Sequence, residues 1–95
     1  MITKDYFEKH FKEQLKSVGS NPSVIFHLHS SVQLIIHSIE AHEEGYVLVD
    51  VYPEPKLDEK YEKRDRMAIA YESIGEIQIT LSKQKEVDQM GFYAK

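Results

Sequence analysis

The chain has 95 residues, 41% apolar and 29% charged, with 12 Lys and Arg against 16 Asp and Glu for a net charge of −4. That is the composition of one globular domain with one core, and it excludes disorder, collagen-like repeats and a coiled coil. No run approaches the roughly 20 apolar residues of a membrane span, the start Met1-Ile2-Thr3-Lys4-Asp5-Tyr6-Phe7-Glu8-Lys9 is too charged for a signal peptide, and the absence of cysteine removes disulfides, thiolate metal sites and thiol nucleophiles. A cytoplasmic protein without membrane attachment is expected.

Ile2, Tyr6, Phe7, Phe11, Leu15 and Val18 recur at helical spacing, which predicts one amphipathic helix over residues 3–18, with Thr3 as N-cap, Asp5 in the first turn and Gly19 at the C-terminal stop. Asn21-Pro22 ends it. Val24, Phe26 and Leu28 then alternate with His27 and His29, and Val32, Leu34 and Ile36 with Gln33 and His37. A period of two marks strands with one face buried, hence an antiparallel sheet. The predicted strands are 24–29 and 32–41. Ser30-Ser31 between them lacks glycine, so a looser three- or four-residue connection, or a bulged continuous strand, is expected in place of a two-residue turn. His42-Glu43-Glu44-Gly45 turns the chain into a third strand, 46–52, which Pro53 and Pro55 close.

From residue 53 to 66 charge of both signs dominates, and this segment reads as a solvated, mobile loop or one short helix opened by Pro55. Strands at 67–72 and 76–82 follow, around Ser73-Ile74-Gly75. The tail 83–95 is charged apart from Met90-Gly91-Phe92-Tyr93, an apolar element suited to packing back on the sheet. The expected whole is a single α+β domain, mainly β: an N-terminal helix followed by a strongly bent five-stranded antiparallel sheet or small open barrel, with a pleckstrin-homology-like or other β-meander as the alternative.

Three histidines are the only constellation resembling a site. His27 and His29 project from one strand face, and with His37 they could hold zinc with an open fourth position. The register that aligns the apolar faces, however, puts Gln33 opposite His27, which favours three ordinary half-exposed histidines, no metal and no cofactor. Tyr46, Tyr52, Tyr61, Tyr71, Phe92 and Tyr93 could stack nucleic-acid bases, yet few cations interleave with them, and tyrosine is common at core rims. Ser30 and Ser31 beside His29 do not make a triad, and the four glycines form no phosphate loop. No catalytic set emerges.

The element order, together with Leu28-His29-Ser30-Ser31-Val32-Gln33-Leu34 at a first hairpin and Tyr71-Glu72-Ser73-Ile74-Gly75-Glu76-Ile77 at a step into the last strand, resembles Sm-like proteins, including the bacterial Hfq type. The resemblance spans residues 6–82 and implies a helix-capped, bent five-stranded barrel that forms rings and binds RNA. Ile36 stands near a position where that family usually has glycine, and Glu72 near one used for RNA. The expected function is therefore a small binding or interaction module with a protein partner or self-association through sheet edges. RNA is the alternative, disfavoured by net charge.

Overall fold

The computed structural model describes residues 2–18, 22–52, 65–81 and 91–93. The N-terminal stripe folds as two short helices where one is expected: α1, Lys4–Lys9, and α2, Phe11–Val18. His10 between them stays in the right-handed helical region but with φ stretched to −118°. The hydrogen-bond ladder nevertheless crosses the joint, since His10 N donates to Tyr6 O at 2.9 Å and Gln14 N to His10 O at 3.1 Å, so the break is a kink. It leaves Phe7 and Phe11 buried side by side, ring centroids 5.5 Å apart. Thr3 holds the N-cap position in an extended conformation without a side-chain cap bond; its carbonyl accepts from Tyr6 N. Gly19 lies outside the described residues.

Five strands follow: β1 (Pro22–Leu28), β2 (Gln33–His42), β3 (Tyr46–Val51), β4 (Asp65–Ala70) and β5 (Ile74–Leu81), with a 3-10 turn at Tyr71–Ser73 joining the last two. They form one antiparallel sheet in the order β4-β3-β2-β1-β5. The fold is α+β and mainly β. The sheet is open: among the described residues nothing pairs with the outer side of β4 or β5. Residues 53–64 lie outside the described residues, and with them most of the expected charged loop. Asp65 and Arg66, expected in that loop, begin β4 and pair with Val51 and Asp50. Tyr71 and Glu72, expected to end the fourth strand, belong to the 3-10 turn.

Strand alternation places the core. Val24 and Phe26 of β1, Ile36 of β2, Val47, Val49 and Val51 of β3, Ile69 of β4 and Ile74 of β5 are buried together with Phe7, Phe11 and Tyr71. The helices cover this face and are also tied from outside, where Lys4 Nζ meets Glu44 Oε1 at 3.1 Å in the β2–β3 turn.

The β1–β2 connection is the looser kind that Ser30-Ser31 predicts. Leu28 N donates to Val32 O at 2.9 Å and Ser31 N to Leu28 O at 3.0 Å, which leaves His29–Ser31 as the loop, closed by Ser31 at φ 74°. A non-glycine residue in that left-handed region costs about 1–2 kcal/mol, partly offset by the greater freedom glycine would have when unfolded. Ser31→Gly should therefore raise stability by about 0.5 kcal/mol in chemical denaturation; a lower midpoint would show that the serine side chain is needed there.

Candidate functional site

Two irregularities in the β2–β3 register, between Ile36 and Ser38 and between Ile39 and Ala41, insert His37 and Glu40 as extra residues in β2. A bulge re-aims side chains, and these two gather a polar string on the sheet. Ser38 Oγ, fully buried, lies 3.0 Å from His37 Nδ1 and donates to Glu40 Oε2 at 2.9 Å. Glu40 Oε1 meets Arg66 Nη2 at 3.3 Å, and Arg66 grips Asp50 with both Nε and Nη2, at 2.7 and 3.2 Å. The hydrogen bond and charge of Asp50 raise the Arg66 pKa further above its ordinary value, so the guanidinium is a fixed cation.

Serine, histidine and carboxylate in contact invite comparison with a hydrolase triad, but the polarity is reversed. A carboxylate only accepts, so the single Ser38 proton goes to Glu40, and His37 Nδ1 must donate to the hydroxyl. A nucleophilic serine instead gives its proton to imidazole and stands open to substrate. Ser38 does neither, and the string is a strut that ties the bulged part of β2 to β3 and β4.

The three histidines singled out by spacing occupy different places. His27 pairs with Gln33, as the apolar register requires, and its Nε2 lies 2.7 Å from Gln78 Oε1, whose amide donates onward to Thr80 Oγ1 at 3.0 Å. His29 is exposed in the β1–β2 loop, with its ring beside Gly75, where a Cβ would come within 3.1 Å of Nδ1. His37 lies against Tyr52 and Tyr93, at centroid distances of 5.4 and 4.6 Å. Among the described residues no three His, Asp or Glu side chains come together as metal ligands.

Tyr52 and Tyr71 are buried rather than available for stacking, each 6% exposed. Their hydroxyls donate to Gly91 O at 2.8 Å and Glu43 O at 2.6 Å. Tyr46 and Tyr93 are exposed, and Tyr61 lies outside the described residues.

Between the helices and β2 runs a half-open cleft of about 240 Å³, walled by Phe7, Phe11, Leu15, Ile39 and Phe92, with Lys12, Glu40 and His42 as its polar groups. Its volume is under the roughly 300 Å³ at which small-molecule pockets begin. Sequence periodicity does not foresee this wall, because Phe92 reaches it from the far end of the chain. The signal that was present is the phase break in β2, where apolar residues at 34 and 36 are followed by one at 39. Among the described residues no helix is long and apolar enough to cross a membrane. No protein-family model, no curated protein and no solved structure matches the chain.

Proposed function

We propose that the protein is a non-catalytic binding module of the Sm-like kind, which assembles by pairing β4 of one copy with β5 of the next and presents the assembled surface to a protein partner. The observation that carries this reading is the pair of sheet edges, on β4 and β5, that no described residue pairs with. Edge strands are normally blunted by proline, lysine or an inward charge. From Met67 to Ala70, β4 is Met-Ala-Ile-Ala, and along β5 only Glu76 is charged. Such edges are templates for another strand, and joining them on each copy generates a closed ring if the rotation closes.

The likeness to that family rests on the element order, helices followed by five antiparallel strands, and on the two sequence segments at the first hairpin and the step into the last strand. The RNA-binding half of the resemblance is weaker. Glu72 is an exposed carboxylate in that turn, and phosphate backbones require clustered cations, so a protein partner fits the net charge of −4 better.

Light scattering on purified protein tests the assembly. The expected mass is that of a ring of about six or seven copies, reduced to a monomer by placing charge on exposed edge positions with Met67→Lys and Ala70→Lys. A wild-type monomer at all concentrations would overturn the reading. Submicromolar affinity for single-stranded RNA at physiological salt would keep the assembly and replace the protein partner with RNA.

A further inference from the structure

The pairing of β1 with β2 runs from His27 opposite Gln33 to Val24 opposite Ile36 and stops there. Beyond that point the strands part. Pro22 and Ser23 continue on β5, opposite Leu81 and Thr80, while Ser38 pairs with Asp50 of β3. The sheet thus opens into a fork with main-chain groups on both prongs, and the chain's own Gly91–Tyr93 segment bonds to both. Phe92 N donates to Pro22 O at 2.9 Å, and Tyr93 N donates to His37 O at 2.7 Å. Consecutive amides reaching opposite strands are what an extended segment presents, since its successive N–H groups point to opposite sides.

The side chains alternate in the same sense. Phe92 meets Phe11 edge-on at 5.6 Å and walls the cleft, Tyr93 lies over His37, and Tyr52 Oη holds Gly91 O.

We infer that the fork between β1 and β2 is a strand-acceptor slot for an extended peptide reading small-aromatic-aromatic, that Gly91–Tyr93 is its resident occupant, and that a partner protein's segment of the same chemistry takes its place. Two observations make the occupant exchangeable. Tyr93 remains 53% exposed while docked, so its ring is lightly held. On the prong beside Pro22, Ser23 Oγ is buried without a hydrogen-bond partner among the described residues, a demand that the resident segment does not meet and that a ligand with a polar group there would. Main-chain bonds for affinity with pockets for alternate side chains for specificity is the logic of strand addition. The slot is separate from the outer edges of β4 and β5, so it stands whether or not the chain assembles through them.

The occupant belongs to the same chain as the slot, so its docking is intramolecular, with an effective concentration that can reach the order of millimolar. A competitor added in solution must overcome that advantage. The test uses the full-length chain and a labelled synthetic peptide of residues 88–95, with binding read by fluorescence anisotropy. The Phe92→Ala, Tyr93→Ala double variant, which keeps its tail but lacks the anchors, should bind the peptide at least about tenfold more tightly than wild type does. A peptide carrying Phe92→Ala should not bind. No saturable binding to a double variant with wild-type circular dichroism and cooperative melting would overturn the proposal.

Amide exchange on the wild-type chain covers the case in which that variant does not fold. Phe92 and Tyr93 amides should exchange at least about a hundredfold faster than those of Val24 and Val49, because the occupant leaves without global unfolding. Exchange at the same rate would make the segment a fixed part of the fold and overturn the inference. Phe92 contacts arising between differently isotope-labelled copies would make the slot a joint between copies, which also overturns the partner peptide.

Discussion

Phe7→Ala should lower the unfolding free energy by about 3–5 kcal/mol, a large share of the roughly 5–15 kcal/mol that holds a domain of this size together. Phe7 is 2% exposed, with ring centroids 5.5 Å from Phe11, 5.9 Å from Phe26 and 5.8 Å from Tyr71. It is the point where the helices, β1 and the 3-10 turn meet, so the cavity left by alanine is bounded by three elements that cannot collapse together. At roughly 4–8 °C per kcal/mol for such a domain, the melting midpoint should fall by at least about 12 °C. Thermal denaturation followed by circular dichroism measures it. An unchanged midpoint would mean that the helices are not docked on the sheet.

Tyr71 should show a comparable loss together with a pH signature. Its ring packs on Phe7, its hydroxyl donates to Glu43 O at 2.6 Å, and its amide donates to Gly45 O, so it fastens the 3-10 turn to the β2–β3 turn. Tyr71→Ala should cost about 3–5 kcal/mol, as truncation of a buried ring does, and Tyr71→Phe about 1 kcal/mol for the hydrogen bond alone.

Burial raises the Tyr71 pKa above its ordinary value of 10.0. A folded-state pKa above the unfolded one means that the folded chain keeps a proton the unfolded chain releases, so stability is full below about pH 10 and is lost as pH rises further. Wild type should weaken across that alkaline window and Tyr71→Phe less so. Equal slopes for the two would show that the phenol is not the group responsible; Tyr6, also raised by burial, would then be the group to replace.

The fold was legible wherever a period reported one buried face. Val24 and Phe26, and Val47, Val49 and Val51, fix β1 and β3 to within about two residues, and the His27–Gln33 register follows from aligning apolar faces. Three features were not legible. The kink at His10 has no proline or glycine to announce it. Asp65 and Arg66 look like loop residues because β4 is an edge strand whose start carries side chains toward solvent, where a strand imposes no apolar demand. The polar string of β2 depends on two bulges, which move His37 and Glu40 out of the alternation that would otherwise place Ser38 and Glu40 with Ile36. Of the candidate site, His37 was singled out for zinc and is found instead with Ser38, Tyr52 and Tyr93. Those partners are an adjacent residue, the residue that follows β3 and one from the Gly91–Tyr93 segment, and only the fold brings them together.

The position of β1 in the sheet has a consequence for how the chain reaches its native state. Its neighbours are β2, immediately downstream, and β5, which pairs Pro22 with Leu81. A β1–β2–β3–β4 meander can form from local hairpins, but it leaves one side of β1 unpaired until the last strand arrives. Closing a loop of that length carries an entropy cost that must be met before its contacts reward it. Acquisition of structure is therefore gated by β5: during synthesis β1 presents a bare edge with Val24 and Phe26 alongside it, and the interval before β5 emerges is when the chain is most open to mispairing with another copy of itself.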